Sequence, residues 1–214
     1  MRVWSYIFAT LSVLVAVAST RGYFLPLALV MPDMAHYLAT LPLPMWSHLV
    51  FAPLALLLGP VQLSTGLRAA RPRLHRVLGY TYALSVLLAA AASLTLLWQF
   101  KGTLWAATGF AVLAALWIAT TASGITLAIR GQTARHRVWM LRSLALTFAA
   151  VTLRLMMAPL IASGWTVLQT YDVTGWAAWL TNLAVLELWQ RRGTLVVRLA
   201  RSDWSGRRDS NPRP

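Results

Sequence analysis

Two histidines of this chain stand in nearly the same sequence context. His75 lies in the stretch LHRVLGYTY and His136 lies in RHRVWMLRS, so 61 residues separate two His-Arg-Val triplets. Two imidazoles that face each other from neighbouring helices can supply both axial ligands of a haem b iron. The nearby cations Arg73, Arg76 and Arg137 could pair with the haem propionates through charge-assisted hydrogen bonds. The pattern therefore suggests a haem site held by His75 and His136.

The same residues have a second interpretation that needs no cofactor. Arginine and histidine at the end of a membrane helix reach towards water and lipid phosphates. Each His-Arg pair would then only anchor its helix in the bilayer. The sequence leaves both interpretations open, because a His-Arg-Val triplet is short.

Two more polar residues are predicted in the other half of the membrane. His48 stands just inside an apolar run, and Arg154 follows Arg137 by 17 residues, or about 25 Å of helix. An arginine within a bilayer either reaches the head groups or needs a partner, such as Asp33, Asp172, a lipid phosphate, a bound anion or a haem propionate. The candidate cofactor-binding residues are therefore His75, His136, His48, Arg76, Arg137 and Arg154.

Carboxylates are rare in the apolar part of the chain. Glu187 is expected to pair with Arg191, four residues later, or with an arginine of an inner loop; a proton relay is the alternative. Asp33 and His36, three residues apart, could hold a metal ion together with His48 if their loop folds over the helix that carries His48.

The composition places these residues in a membrane protein. Hydrophobic residues make up 58% of the 214 residues and charged residues 11%, which is far from the composition of a soluble domain. A helix needs about 20 apolar residues to cross a hydrocarbon core of about 30 Å. We therefore predict an all-α bundle of about six transmembrane helices. The predicted spans are 3–20, 44–65, 75–98, 104–129, 137–162 and 173–190.

The positions of the arginines predict the topology. Most of the 19 basic residues lie between the second and third spans, between the fourth and fifth, and after the sixth. Short arginine-rich loops stay in the cytoplasm, so both termini are predicted to be cytoplasmic. The net charge of +14 then reflects topology and contact with anionic lipids, and nucleic acid is not expected as a partner.

The chain is predicted to form one membrane domain over residues 1–192, followed by a basic, disordered tail at 193–214. The first span is expected to be retained rather than cleaved as a signal peptide, because its apolar part is long. The segment 21–43 contains three prolines and is expected to lie near the outer interface, with Pro32 opening a short helix. The chain has no cysteine, which excludes disulfides and thiolate ligands.

The order of several motifs resembles one family. His48 is followed by GPVQL, by RPRLHRVLGYTY, by Gly109 and Trp117, and by RHRVWMLRSLALTFAAVTLR, which ends at Arg154. Over about residues 44–160 this order resembles the predicted bacterial membrane proteins of domain of unknown function 2306 (DUF2306). The resemblance implies a multi-pass protein of the bacterial cytoplasmic membrane and carries over no activity. Its characteristic positions map to His48, Gln62, His75, Arg76, Gly79, His136, Arg137, Trp139, Met140, Arg142 and Arg154.

A more distant likeness is to the six-helix di-haem cytochromes b. In that family a histidine pair on the third and fifth helices holds one haem, and His75 and His136 would match that pair. The other haem needs a histidine on the second and on the fourth helix. This chain has His48 on the second but Gly109 on the fourth, so a second haem lacks a ligand unless His36 supplies it.

Three hypotheses of function follow. The leading one is electron transfer through haem b or a quinone near His75 and His136, with a redox partner. The second is a carrier for a small ligand or lipid that uses Arg154 and Glu187. The third is an accessory or scaffold protein whose polar residues only fix the topology. No hydrolase or transferase motif is present, so a redox role is the one enzymatic activity that the sequence suggests.

Overall fold

The structure is a computed structural model that describes residues 2–20, 24–26, 29 and 31–208, with side chains described between residues 7 and 192. In these ranges the chain forms α-helices, two short 3₁₀ turns and no β-strand. The helices are α1 (Arg2–Thr20), α2 (His36–Thr40), α3 (Pro42–Gln62), α4 (Thr65–Ala70), α5 (Pro72–Leu96), α6 (Leu104–Ile129), α7 (Thr133–Thr147), α8 (Ala149–Ala162) and α9 (Val167–Arg208).

Four segments are long and apolar enough to cross a membrane: α3, α5 with the turn that follows it, α6, and α7 together with α8. The other two predicted spans form α1 and the first part of α9, which pack in the same bundle. α1 contacts α3 and α8 and buries Ser12 and Ala16 there. The predicted all-α membrane bundle is therefore confirmed.

Local sequence explains where the long helices begin. Pro42 and Pro72 stand in the first turn of α3 and α5, where the missing N–H of proline costs nothing. The hydroxyl of Thr103 accepts a hydrogen bond from the backbone N–H of Ala106 and so caps α6. Pro32 opens a 3₁₀ turn, Pro32–Met34, as predicted. The chain thus enters each helix at a residue whose chemistry suits that place.

The fifth predicted span, 137–162, is not one straight helix. It begins earlier, at Thr133, and Phe148 divides it into α7 and α8. The Thr147 hydroxyl donates to the Ser143 carbonyl at 2.9 Å, and side-chain bonds of this kind bend helices. The division matters because the residues on either side of it line the central cavity described below.

The connections give the bundle two distinct ends. The α3–α5 and α6–α7 connections carry exposed arginines, among them Arg68, Arg71, Arg130 and Arg135; we call this side the arginine-rich end. The opposite end holds residues 31–41, the turn after α5 and the α8–α9 connection. α9 is helical to Arg208, and the disordered tail from residue 193 stays a prediction. Residues 209–214 lie outside the described residues, and the domain boundary at 192 stays a prediction.

Candidate functional site

A cavity of about 470 Å³ lies among α1, α3, α5, α6, α7, α8 and α9, under residues 31–37. We call it the central cavity. Most of its lining is apolar and comes from several helices at once, including Ala52, Leu56, Leu113, Leu146 and Leu153. Pockets that bind small molecules have this character when a few polar groups converge within an apolar lining.

Arg154 is the cation of the central cavity. It lies eight residues before the end of α8, or about 12 Å from that end. Its Nη1 donates to the Ala150 carbonyl at 2.8 Å, and its Nη2 donates to Ser19 Oγ at 3.3 Å. The side chain is exposed although it lies among the helices, because its exposed surface faces the cavity. The sequence contains no signal for its partner Ser19, which belongs to the first helix.

His48 lines the same cavity from α3. It stands six residues inside this helix, or about 9 Å from its start, and therefore at a depth similar to that of Arg154. Its Nδ1 lies 2.8 Å from Ser93 Oγ and 3.3 Å from the Ala89 carbonyl. These contacts with α5 fix the orientation of the ring. Two of the predicted cofactor-binding residues, His48 and Arg154, are thus brought together.

Further polar groups surround the mouth of the cavity. Asp33 and Tyr37 contribute from the segment above it, and Tyr171 contributes from α9. Tyr37 is 3% exposed, and burial raises the pKa of its phenol, which keeps it a neutral donor. His36 instead turns to the Gln99 carbonyl, 3.1 Å from its Nε2. Within the described residues no three histidine or acidic side chains come close enough to hold a metal ion.

A buried network of hydroxyl groups lies beside the cavity, and two of its members, Trp117 and Thr147, line it. Tyr82 Oη lies 2.7 Å from Ser143 Oγ and 2.7 Å from Thr147 Oγ1. Trp117 Nε1 donates to Thr147 Oγ1 at 2.9 Å, and Thr121 Oγ1 lies 2.7 Å from Ser143 Oγ. The network joins α5, α6 and α7 in the middle of the bundle. Its residues satisfy one another, as buried polar groups require.

The other four predicted residues lie at the arginine-rich end. His136 Nδ1 is 2.8 Å from the Gly124 carbonyl; because a carbonyl only accepts, Nδ1 carries the hydrogen and Nε2 keeps a lone pair. His75 Nδ1 is buried and has no hydrogen-bond partner among the described residues. His75 lies within electrostatic reach of His136, while Arg76 and Arg137 are exposed. The predicted set therefore divides into two separate sites.

Glu187 pairs with Arg142, and not with Arg191. Arg142 Nε is 2.6 Å from Glu187 Oε1, and Arg142 Nη2 is 3.2 Å from Oε2. The arginine also lies over the Trp139 ring, 4.9 Å from its centroid. The sequence predicted either Arg191 or an arginine of an inner loop as the partner. The partner is Arg142, near the inner loop before α7, because α7 and α9 pack side by side. This pairing separates Glu187 from Arg154, so they do not form one carrier site.

The position of Gly109 is too crowded for a histidine. A Cβ atom at this residue would lie 2.8 Å from the Gly175 carbonyl and 2.8 Å from Trp176 Nε1. α6 and α9 approach each other closely here because Gly109 and Gly175 have no side chains. A haem ligand on α6 at this level is therefore sterically incompatible with the packing. His36, which would have to substitute for it, is bonded to Gln99.

The fold and these two sites define a multi-pass α-helical membrane protein with a cavity inside its bundle. The family model described as "Predicted membrane protein (DUF2306)" matches residues 45–190, which is more than half of the 214 residues. The chain belongs to this family, and the resemblance found in its motifs is confirmed. Neither a curated protein nor a solved structure is similar enough to the chain to count as a match.

Proposed function

We propose that the protein binds a small amphiphilic molecule in the central cavity and acts as a carrier or receptor for it within the membrane. The observation that carries this proposal is the convergence of Arg154, His48 and Tyr171 in a cavity whose lining is mostly apolar. An apolar lining favours the hydrocarbon part of a ligand, and the few polar groups fix the head group. A quinone is one molecule of this kind.

The volume of the cavity supports the proposal. About 470 Å³ lies within the range of about 300–1,000 Å³ that is usual for small-molecule pockets. A small amphiphilic molecule therefore fits the space that the cavity offers.

Thermal stability in nanodiscs tests the proposal. A ligand that binds only the folded state stabilises it by about 2.7 kcal/mol at 100 times its Kd. We expect decanol, decanoic acid or decylubiquinone to raise the Tm of the parent protein. Ala52→Phe, which places a ring in the cavity, should abolish this effect.

The matched control for this experiment is Ala91→Phe, because Ala91 is exposed on α5 and does not line the central cavity. The control variant should keep the full shift. If none of the three compounds changes the Tm, or if Ala52→Phe retains the shift, the cavity is not a ligand site. A scaffold role would then be the better account.

A second candidate function is electron transfer through one haem b at the arginine-rich end. It is favoured by the hydrogen bond from His136 Nδ1 to the Gly124 carbonyl, since this bond leaves Nε2 free as a ligand. His75 would be the other ligand, and Arg76 and Arg137 would pair with the propionates. A bound haem b would supply one-electron redox chemistry at that end of the bundle.

Optical spectra distinguish this second candidate. The protein is expressed with haem precursor, purified, oxidised, and then reduced with dithionite, beside the double variant His75→Ala, His136→Ala. A haem b spectrum in the parent that is absent from the folded variant supports the haem site. A well-folded parent without haem rejects it. The outcome is independent of the central cavity, because the two sites do not share a residue.

We also propose that the arginine-rich end faces the cytoplasm of a bacterial cell and that the protein lies in the cytoplasmic membrane. The support is the unequal distribution of arginines between the two ends, since arginine-rich short loops are retained in the cytoplasm. With this orientation the central cavity lies in the outer half of the bilayer.

A further inference from the structure

We infer that the ligand of the central cavity carries an anionic, oxygen-rich head group and that the Arg154 guanidinium binds it. This inference rests on the proposed function and adds the chemical class of the ligand. Such a ligand is a single-chain amphiphile whose head group is a carboxylate or a phosphate.

The first observation is that Arg154 has no acidic partner among the described residues. Its two hydrogen bonds go to a carbonyl and a hydroxyl, at Ala150 and Ser19, and both of these groups are neutral. The one ion pair between described residues joins Arg142 and Glu187. A guanidinium has five N–H donors, so three of them remain for a ligand.

The two nearby carboxylates do not replace such a ligand. Asp33 lines the same cavity but forms no ion pair with Arg154 within the described chain. Asp172 accepts a hydrogen bond from the Thr103 hydroxyl and does not line the central cavity. A cation in an apolar site is costly until an opposite charge accompanies it. An anionic head group would provide that charge.

The second observation is the direction of the Arg154 side chain. An arginine that anchors a helix to the head groups extends towards the nearer membrane surface. α8 runs towards the end opposite the arginine-rich end, yet Nη1 of Arg154 bonds to the carbonyl four residues earlier, at Ala150. The guanidinium therefore folds back along α8, and its Nη2 reaches Ser19 of α1, which lines the same cavity.

The third observation is the distribution of the lining residues along the helix axes. Leu146 and Arg154 both line the cavity, and Leu146 lies eight residues before Arg154, or about 12 Å nearer the arginine-rich end. The part of the cavity around Leu146 suits a hydrocarbon chain, and the part around Arg154, His48 and Tyr171 suits a head group. Guanidinium groups bind carboxylate and phosphate with two parallel hydrogen bonds, which gives this end its selectivity for acids over alcohols.

The test compares decanol, decanoate and decyl phosphate as probes for the intact protein in phosphatidylcholine nanodiscs. The three probes share one chain and differ in the head group. We expect at least one of the two anions to bind about tenfold more tightly than decanol, because charged hydrogen bonds contribute more than neutral ones. The anion that binds better identifies the head group as a carboxylate or a phosphate.

Two variants locate the effect. Arg154→Gln should remove the preference for the anions, so that decanol, decanoate and decyl phosphate bind the variant with similar affinity. Arg130→Gln is the control, because Arg130 is exposed at the arginine-rich end, and this variant should keep the preference. If Arg154→Gln does not fold, the comparison of the three probes in the parent protein decides alone.

The outcomes separate this inference from the proposed function. If decanol binds as tightly as both anions, or if a folded Arg154→Gln variant keeps the preference, the head-group inference is wrong and the cavity remains a site for amphiphiles. If none of the three probes binds, the inference and the proposed function fail together.

Discussion

Tyr82 Oη lies 2.7 Å from Ser143 Oγ, and these two residues are 61 positions apart in the chain. The same interval separates His75 from His136. His75 lies seven residues before Tyr82, and His136 lies seven residues before Ser143. Seven residues span about two helical turns, or about 10.5 Å. α5 and α7 therefore meet in register, with corresponding positions of the two His-Arg-Val stretches at the same level.

The register suggests a structural repeat of two hairpins, α3 with α5 and α6 with α7. Both hairpins have extensive internal contacts, and each enters its second long helix with a histidine near the first turn. Seven residues correspond to nearly two full turns, so His75 lies on about the same face of α5 as Tyr82. His75 and His136 therefore lie at about the same level along the bundle.

We predict that Tyr82→Phe lowers the stability of the protein. Tyr82 is fully buried, and loss of its hydroxyl leaves Ser143 and Thr147 each with one partner fewer. Loss of a hydrogen bond of this kind costs about 0.5–1.5 kcal/mol, because Ser143 and Thr147 keep their other partners. The measurement is the unfolding midpoint in detergent, with Tyr80→Phe as the control because Tyr80 is 56% exposed. Equal midpoints for the two variants would show that the network contributes nothing.

We predict that Gly109→Ala destabilises the contact between α6 and α9. The added Cβ would lie 2.8 Å from the Gly175 carbonyl, and overpacking of this kind costs about 1–3 kcal/mol. Gly66→Ala is the control, since the nearest atom to its Cβ would be 3.9 Å away. Thermal unfolding of both variants provides the comparison. A Gly109→Ala protein as stable as the control would contradict the close packing of these helices.

We predict a modest coupling between Arg142 and Glu187. Their side chains are 28% and 35% exposed, so the pair is partly screened, and the expected coupling is about 0.5–1 kcal/mol. A double-mutant cycle with Arg142→Gln and Glu187→Gln measures it. Replacing Arg191 instead should give a smaller coupling to Glu187. A larger coupling with Arg191 would mean that α7 and α9 are not adjacent at this level.

We predict that the two ends of the bundle lie on opposite sides of the membrane. The chain has no cysteine, so single cysteines can be introduced without background. Gln132→Cys lies at the arginine-rich end and Ser163→Cys at the opposite end, and both native residues are exposed. In intact bacterial cells, a membrane-impermeant maleimide should label only Ser163→Cys. Labelling of Gln132→Cys alone would reverse the proposed orientation.

The sequence predicted the class of fold because long apolar runs have few alternatives in a membrane. It also predicted that His48 and Arg154 lie in the same half of the bundle, since their depth follows from the helical rise. It did not predict their shared cavity, because that depends on which helices are neighbours. Ser19 was missed for the same reason: it is distant in the chain and has no distinctive neighbours.

Other differences have local causes. The division at Phe148 lies within an apolar run, and no apolar pattern reveals it. The sequence did not decide which arginine pairs with Glu187, because a carboxylate can form an ion pair within its own helix or with a neighbouring helix. The network around Tyr82 could have been found in the repeat, since Tyr82 and Ser143 occupy equivalent places in the two His-Arg-Val stretches.

Photolabelling tests the central claim, that the central cavity binds an amphiphile, most directly. A diazirine-bearing fatty acid is activated on the protein in nanodiscs, and the labelled peptides are identified by mass spectrometry. We predict labels on cavity-lining residues such as Leu113 and Leu153, blocked by excess decanoate and absent from Ala52→Phe. Labels confined to exposed positions such as Leu87 or Leu180, and unaffected by competitor, would contradict the account.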